Sequence, residues 1–215
     1  ALGHFGAQPV ELEDLLVQCA QWAEQLSGRI VDSIPLLRRA LQGGKHILLE
    51  GQLGAMKDLD WGTYPFVTSS NPTAGFAAVG AGLPPQQIGE VVGVAKVYQT
   101  SVGSGPFPGE LTDQIGDRLR DIGREYGATT GRPRRTGWYD AVAVRHAVWL
   151  NGITGIAVTK LDVLDTFTEI KLCTAYRLLD GTLIDYVPDT PVLEGVEPVF
   201  ESWPGWQQVV IRKTL

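Results

Sequence analysis

The amino-acid sequence predicts an α/β fold with a mostly parallel central sheet flanked by helices and one additional β-hairpin. Short runs rich in valine, isoleucine and leucine alternate with longer segments whose apolar residues recur at helical spacing. Such alternation is typical of parallel strands connected by helices. The chain has 215 residues, of which 44% are hydrophobic, which is enough for a substantial core. Because no internal repeat or low-complexity linker interrupts it, we expect one domain over residues 1–215.

Four segments have the apolar spacing of amphipathic helices. In the first, acidic residues lie in the first turn, where the helix dipole favours them. Pro35 stands near the start of the second and glycines follow its end. The third is predicted to close at Gly127 and the fourth at Asn151-Gly152. The four segments are residues 9–26, 30–44, 110–127 and 140–152.

Three short apolar runs are predicted to be neighbouring, buried strands of the parallel sheet. They are HILLEG (46–51), VVGVAKVY (91–98) and ITGIAVTK (153–160). In the second run the β-branched residues favour a strand over a helix. Residues 169–188 are predicted to form the hairpin, with Asp180-Gly181 as a type I′ turn.

Composition excludes several classes of partner. The formal net charge of −6 argues against general nucleic-acid binding. No apolar run approaches the roughly 20 residues that span a bilayer, and the N-terminus lacks the pattern of a signal peptide. We interpret Cys19 and Cys173 as reduced core residues, which favours a cytoplasmic protein. From the charge and the lack of a long apolar run we expect no nucleic-acid and no membrane partner.

Several loops combine glycine, proline and hydroxyl residues where ligands bind in such folds, beyond the carboxyl ends of strands. Each by itself is compatible with a simple tight turn. Together they suggest a polar cleft for an anionic small molecule. The loops are EGQLG (50–54), WGTYPFVTSSNPTAG (61–75), SVGSGPFPGE (101–110) and TKLD (159–162).

A further loop concentrates positive charge in this acidic chain. The stretch YGATTGRPRRTGWYD places Arg132, Arg134 and Arg135 within four positions. Guanidinium groups grip carboxylates and phosphates in two-point contacts, glycines let main-chain amides approach an anion, and Thr129 and Thr130 add hydroxyl donors. The alternative is a solvated basic turn that pairs with surface acids.

These segments occur in the order and spacing found in adenylosuccinate synthetases, which the chain resembles from its first helix to Trp206. The resemblance implies a core related to the P-loop GTPases and an enzyme that joins IMP to L-aspartate through a 6-phosphoryl-IMP intermediate. It further implies GTP and Mg²⁺ as cofactors and a homodimer. The motifs that carry it are EG-x-x-G, DLDWGTYPFVTSSN, VGSGPFP, GATTGRPRRTGW, TKLDVLD and PGW.

The resemblance also implies roles for individual residues. IMP would contact Thr68, Arg132 and the position of Leu53. GTP would contact Arg134, with Lys160, Leu161 and Asp162 at the guanine base. The loop for aspartate would consist of Ala128, Thr129, Thr130, Gly131, Arg132, Pro133 and Arg134. No metal ligand is assigned, and the family's catalytic acid and base fall outside these 215 residues.

Departures from the family pattern lead to a second expectation. Leu53 stands where the family usually has glutamine, and Ser101 replaces an arginine. Gly109 and Phe76 also differ from the family's motifs. No segment resembles the family's phosphate loop. We therefore expect the chain as given to be incomplete for catalysis. The alternative is a non-catalytic relative that binds a nucleotide or a partner.

Overall fold

The computed structural model describes residues 2–6, 8 and 10–209. The chain divides into two compact units, one up to Leu48 and one from Leu49 onwards. The α/β class is confirmed, since helices accompany both parallel and antiparallel strand pairs. That a single domain covers the whole length stays a prediction.

The first unit contains two helices at the predicted places. Helix α1 spans Leu12–Leu26 and α2 spans Ser33–Gln42. Asp32 begins α2 because its carboxylate accepts a hydrogen bond from the Ile34 N–H at 3.1 Å. Gly43 follows the last residue of α2, as the sequence indicated.

The two cysteines differ in burial. Both are free thiols, but Cys19 lies exposed on α1 whereas Cys173 is buried. The prediction of two core cysteines is therefore wrong for Cys19. An amphipathic helix buries a side chain only where another element covers its apolar face, and α1 has no buried residue.

The run HILLEG, residues 46–51, is not a buried strand, and this prediction is wrong. It has no strand assignment, and Leu48 is 92% exposed. A short apolar run predicts a preference for burial, but a strand also needs a neighbour to receive its main-chain hydrogen bonds. None of the strands in the described ranges pairs with this segment.

The other two runs form a parallel pair, as predicted. Strand β1, Val92–Lys96, lies beside β5, Gly155–Thr159, in register from Val92 opposite Gly155 to Lys96 opposite Thr159. Their predicted burial is wrong, because Val94 is 76% exposed and every residue of β5 is exposed. Within the described ranges this sheet has only two strands, so other strands cover neither edge.

A larger, mixed sheet is organised around one long strand, β6. Strand β8 pairs with it antiparallel along its length. On its other edge β6 pairs parallel with β4 and antiparallel with β7. A separate antiparallel pair joins β2 and β3. The bounds are β2 Gln99–Ser101, β3 Arg135–Gly137, β4 Tyr139–Asp140, β6 Glu169–Arg177, β7 Leu183–Ile184 and β8 Glu197–Pro204.

The β6–β7 hairpin is confirmed, but its turn is not type I′. Gly181 has φ +87°, whereas Asp180 is not in the left-handed region that a type I′ turn also requires. The Gly181 N–H donates to the Leu178 carbonyl at 2.9 Å, and the Leu178 N–H donates to the Thr182 carbonyl at 2.8 Å. These bonds close a three-residue loop with glycine in its left-handed position.

The second unit has four helices in its described part: α3 Ala74–Ala81, α4 Gln114–Gly123, α5 Ala141–Asn151 and α6 Thr190–Leu193. Helix α5 has its predicted end, with Gly152 in the left-handed conformation.

Short 3₁₀ turns occur in both units. They lie at Leu2–Phe5 in the first and at Ala55–Lys57, Pro85–Gln87 and Leu161–Leu164 in the second. Among the described residues, no helix combines the length and apolar character needed to cross a membrane.

Helix α4 is shorter than predicted, and this difference shapes the site below. It begins after Asp113, whose carboxylate accepts hydrogen bonds from the main-chain N–H groups two and three residues later. It ends at Gly123 rather than Gly127, because Arg124 adopts the left-handed conformation with φ +53°. Glu125 therefore leaves the helix and enters the protein interior, where it is 2% exposed.

The core of the second unit consists of two hydrophobic clusters. The first joins α4 to β6 and the 3₁₀ turn before it, through Tyr98, Leu119, Trp138, Val163, Leu164, Phe167 and Ile170. The second joins α5 to the far end of β6, through Val142, Cys173, Tyr176, Ile184 and Leu193. The first cluster thus supports the loops that follow β1, α4 and β5.

Candidate functional site

The arginine loop, residues 126–135, is a closed turn that projects from the end of α4. Tyr126 and Pro133 form an isolated antiparallel bridge at its base. Across the turn, the Gly127 N–H donates to the Arg132 carbonyl and the Gly131 N–H to the Gly127 carbonyl, both at 2.8 Å. Gly131 has φ +65°, a conformation that glycine adopts without steric cost. The predicted aspartate residues from Ala128 to Pro133 are exposed along this turn.

Arg132 lies at the exposed tip with its guanidinium unpaired. Its main-chain N–H donates to Thr130 Oγ1 at 3.4 Å. In the described part of the chain, no carboxylate or carbonyl accepts a hydrogen bond from its side chain. An exposed guanidinium on a closed turn can make a two-point contact with an incoming carboxylate or phosphate.

Arg134, two residues further on, is bonded to Glu125 through both its side chain and its main chain. Its Nη1 donates to Glu125 Oε2 at 2.9 Å, and its main-chain N–H donates to the Glu125 carbonyl at 2.9 Å. The Arg134 side chain is half-buried, with 34% of it exposed. Its Nε is buried and has no hydrogen-bond partner among the described residues.

Glu125 accepts two further hydrogen bonds, from Lys96 at the end of β1 and from Tyr98 just after it. Lys96 Nζ lies 2.7 Å from Oε1, and the Tyr98 hydroxyl donates to the same oxygen at 2.6 Å. Burial pushes the pKa of Glu125 upward, but hydrogen bonds from Lys96, Tyr98 and Arg134 and the charge of Lys96 outweigh it, so the pKa is lowered. We call Glu125, Lys96, Tyr98 and Arg134 the Glu125 cluster.

The predicted guanine-binding triplet adjoins this cluster. Lys160 follows β5 in the left-handed conformation, φ +63°, and its Nζ donates to the Gly123 carbonyl at 2.8 Å. Its charge is close enough to contribute to lowering the pKa of Lys96, whose main cause is burial. Leu161 is half-buried, whereas Asp162 is exposed. The predicted GTP residues Arg134 and Lys160 thus both lie at the end of α4, Arg134 bonded to Glu125 and Lys160 to Gly123.

Arg135 has a different environment from the other two arginines. Its Nε donates to Glu110 Oε1 at 2.7 Å and its Nη2 pairs with Glu110 Oε2. Its Nη1 donates to the carbonyls of Gly105 at 2.9 Å and Gly103 at 3.2 Å. The guanidinium also lies over the Phe107 ring, 5.4 Å from the centroid. Arg135 therefore anchors the glycine-rich loop 101–110.

A second polar cluster is built around Asp58, next to the segment that contains Thr68. Asp58 is fully buried, and its Oδ1 accepts the N–H groups of Asp60 and Trp61, both at 3.0 Å. Its Oδ2 faces the Thr73 N–H at 3.4 Å. Burial raises the pKa of Asp58, but these main-chain donors outweigh it and lower the pKa overall. We call Asp58 and its donors the Asp58 cluster.

The Thr68 hydroxyl is already partly engaged by the protein. It donates to the Lys57 carbonyl at 3.1 Å and lies 3.0 Å from Ser70 Oγ. Lys57 is in turn near Arg135, since burial first and the charge of Arg135 second lower the pKa of its amine. Lys57, whose carbonyl accepts from Thr68, therefore lies near Arg135 of the arginine loop.

Leu53 precedes the Asp58 cluster in an unusual conformation. It has φ +74°, which is rare for a residue with a branched side chain, and it is 53% exposed. Strained backbone of this kind costs about 1–3 kcal/mol and is often found at ligand sites. Leucine itself can offer a ligand only apolar contact.

Sequence reasoning missed three structural features of this region: the buried carboxylates Glu125 and Asp58 and the Arg135–Glu110 pair. The only signal for Glu125 was its place directly before the arginine loop. We assigned it to the end of a helix, where an acid is usually solvated.

The described residues contain no group of three histidine, cysteine, aspartate or glutamate side chains that could together hold a metal ion. The two buried carboxylates at this site are occupied by protein donors. Glu125 and Asp58 are both buried and hydrogen-bonded as described above. The residues present therefore do not fit a magnesium site.

Comparison with known proteins identifies the family to which this chain is similar. A family model described as adenylosuccinate synthetase matches residues 1–214. The adenylosuccinate synthetase of Anaeromyxobacter sp. (strain K) is 52% identical over 210 residues, 96% of this chain and 48% of the relative. That of Pelobacter propionicus is 50% identical over 203 residues, 94% of this chain and 47% of the relative. The chain spans about half the length of the curated relatives it matches.

Solved structures agree with this assignment. The structure of fully ligated adenylosuccinate synthetase from Plasmodium falciparum superposes with a TM-score of 0.88 at 40% identity, covering 94% of this chain and 49% of that chain. A cyanophage S-2L succinoaminodeoxyadenylate synthetase, bound to dGMP and dATP, matches with a TM-score of 0.51 at 26% identity, covering 63% of this chain and 41% of that chain. The chain therefore belongs to the adenylosuccinate synthetase family.

Proposed function

We propose that the protein containing this chain joins IMP and L-aspartate to form adenylosuccinate in purine biosynthesis, with GTP as the energy donor. Family membership supports the reaction class. One observation carries the contribution of this chain. Among the described residues Arg132 is unpaired at the tip of a closed turn, while Arg134 is bonded to Glu125 and Lys160 to the nearby Gly123 carbonyl.

The proposed reaction has two steps. The γ-phosphoryl group of GTP passes to the 6-oxygen of IMP while N1 of the purine loses its proton, which leaves GDP and a 6-phosphoryl intermediate. The amino nitrogen of aspartate then attacks C6, the C6–O bond breaks, phosphate departs, and the nitrogen loses a proton. Positioning and charge neutralisation dominate the catalysis of phosphoryl transfer. The residues of this chain contribute to both.

The proposed roles follow from where each side chain lies. Arg132 binds a carboxylate of aspartate and contacts IMP, because its guanidinium is exposed and unpaired. Arg134, directed by Glu125, lies between aspartate and GTP. The exposed carboxylate of Asp162 accepts N–H groups from the edge of guanine, and the stem of Lys160 packs against the base, next to Leu161.

The Lys57 carbonyl holds the Thr68 hydroxyl for contact with IMP. Leu53 occupies the position where the family resemblance places another IMP contact, and it provides apolar surface there. The turn residues Ala128, Thr129, Thr130, Gly131 and Pro133 form the rest of the aspartate loop. Main-chain amides and hydroxyl groups on such a turn are suitable donors for a dicarboxylate.

For the complete protein we further propose Mg²⁺ as a cofactor, a homodimer and a cytoplasmic location. These rest on the family resemblance and on the composition of the chain. Magnesium would reduce charge repulsion on the GTP phosphates. Because no fitting ligand group lies in the described part of this chain, none of the residue roles above depends on the metal.

The test uses the full-length protein with IMP, aspartate and GTP, and separates adenylosuccinate, GDP and phosphate by chromatography. We expect equal amounts of the three products, and no adenylosuccinate when any substrate is omitted. ATP in place of GTP should support much slower formation. Binding of GTP without any product, in protein that is folded, would contradict the ligase proposal and would indicate a non-catalytic relative.

A further inference from the structure

Glu125 is at the centre of the most highly connected polar group in this region. It is 2% exposed, and both of its carboxylate oxygens accept hydrogen bonds. It reaches this position only because Arg124 ends α4 in the left-handed conformation. A buried carboxylate is costly unless donors satisfy it, so this arrangement is built to hold a negative charge at one point.

The negative charge lies among several cations. Lys96 and Arg134 bond to it directly, at 2.7 Å and 2.9 Å. Lys160 is adjacent, bonded to the Gly123 carbonyl at 2.8 Å. Lys96 also donates to Thr100 Oγ1 at 2.9 Å. Without Glu125 these like charges would repel one another at short range.

The Arg134 guanidinium has one anchor in the described residues, and this anchor is Glu125. Nη1 donates to Glu125, Nε is buried without a partner, and Nη2 donates to no described protein group. The direction in which Nη2 points therefore depends on the bond at Nη1. Arg120 Nε donates to the Arg134 carbonyl at 2.8 Å, which fixes the main chain but not the guanidinium.

We propose that Glu125 is a positioning residue for the ligation: it aims Arg134 at the ligands and keeps the Lys96–Arg134–Lys160 group together, without itself touching a substrate. This proposal rests on the proposed function, because it assigns Arg134 to GTP and aspartate. Thr68, whose hydroxyl bonds to Lys57 and Ser70, shares no hydrogen bond with Glu125 among the described residues. The effect of Glu125 should therefore be confined to two of the three substrates.

The test measures KM and kcat for each substrate in full-length Glu125→Gln. Glutamine keeps the size and removes the charge. We expect KM for GTP and for aspartate to rise about tenfold, the size of effect expected for one charged hydrogen bond, while KM for IMP changes less than about twofold. Glu125→Asp keeps the charge but shortens the side chain by one methylene. Its KM values for GTP and aspartate should therefore lie between those of the wild type and those of Glu125→Gln.

A double-mutant cycle with Arg134→Ala tests whether Glu125 acts through Arg134. Once Arg134 is absent, Glu125→Gln should raise KM for GTP less than about twofold further. The matched control is Glu110→Gln, which breaks the corresponding pair with Arg135. It should lower the thermal midpoint and leave all three KM values near those of the wild type.

Four results would overturn the proposal: equal rises in all three KM values, full additivity with Arg134→Ala, the same KM changes in Glu110→Gln, or failure of both Glu125 variants to fold. Calorimetric titration with GTP separates this proposal from the proposed function. Wild-type protein that binds GTP without forming adenylosuccinate contradicts the function, and weaker GTP binding by Glu125→Gln still supports positioning. Wild-type protein that does not bind GTP overturns both.

Discussion

The Asp58 and Glu125 clusters each place a buried carboxylate beneath a loop with proposed ligand contacts, but their donors differ in kind. Asp58 is bonded mainly by uncharged main-chain N–H groups of its own loop. Glu125 is bonded by side chains from other elements, two of them cationic. A carboxylate of the first kind fixes the shape of a loop, whereas one of the second kind also fixes where charged groups point. We therefore expect loss of Asp58 to affect stability first and loss of Glu125 to affect binding first.

The largest expected effect is on folding, in Asp58→Ala. The change leaves the N–H groups of Asp60, Trp61 and Thr73 without their acceptor inside the protein. We expect the free energy of unfolding to fall by about 3 kcal/mol, since a buried donor without a partner costs about 1–3 kcal/mol. Urea denaturation of the full-length protein measures it. A loss below about 1 kcal/mol would remove the structural distinction between the two clusters.

The control for that change is Asp60→Ala. The Asp60 carboxylate accepts one hydrogen bond, from Asn71 Nδ2 at 2.7 Å, at an exposed position. We expect its removal to lower the free energy of unfolding by no more than about 1 kcal/mol. The contrast between two aspartates only two positions apart separates burial of the acceptor from simple loss of a surface charge.

A smaller effect is expected in acid. Asp58 and Glu125 both have a lowered pKa in the folded protein. Each therefore stabilises the fold fully above its unfolded pKa, about 3.9 or 4.3, and loses that stabilisation as the pH falls through the folded pKa. Asp58→Asn and Glu125→Gln should be less stable than wild type at pH 7 but lose less stability on acidification. Denaturation midpoints from pH 7 to pH 3 measure this, and parallel curves for wild type and variants would contradict it.

The same two clusters illustrate what the sequence can predict. The helices α1, α2 and α5, the strands β1 and β5 and the β6–β7 hairpin follow local patterns and are confirmed. The Asp58 turn is equally local, because two of its donors lie two and three residues away. The Lys96 and Tyr98 donors of Glu125 lie 29 and 27 residues away, so no local pattern distinguishes this acid from a solvated one.

Burial was harder to predict than secondary structure. The run HILLEG and the strands β1 and β5 have the composition of buried strands, yet Leu48 and Val94 are exposed. Composition reports what a segment prefers, whereas burial depends on which elements cover it. The same limit applies to the arginines. The sequence does not distinguish Arg132, Arg134 and Arg135, yet Glu125 pairs with Arg134, Glu110 pairs with Arg135, and neither pairs with Arg132.

The central claim is that the arginine loop separates a binding arginine from an anchoring one. Arg132 is exposed and unpaired in the described structure, whereas Arg135 is bonded to Glu110 and to two glycine carbonyls. The most direct measurement is the KM for aspartate and the free energy of unfolding of full-length Arg132→Leu and Arg135→Leu. We predict that Arg132→Leu raises KM for aspartate at least tenfold, as expected for loss of a charged contact, with stability changed by less than about 0.5 kcal/mol. Arg135→Leu should lower stability by about 1–2 kcal/mol and change that KM less than about twofold. An Arg132→Leu protein that is destabilised but binds aspartate normally would contradict the account.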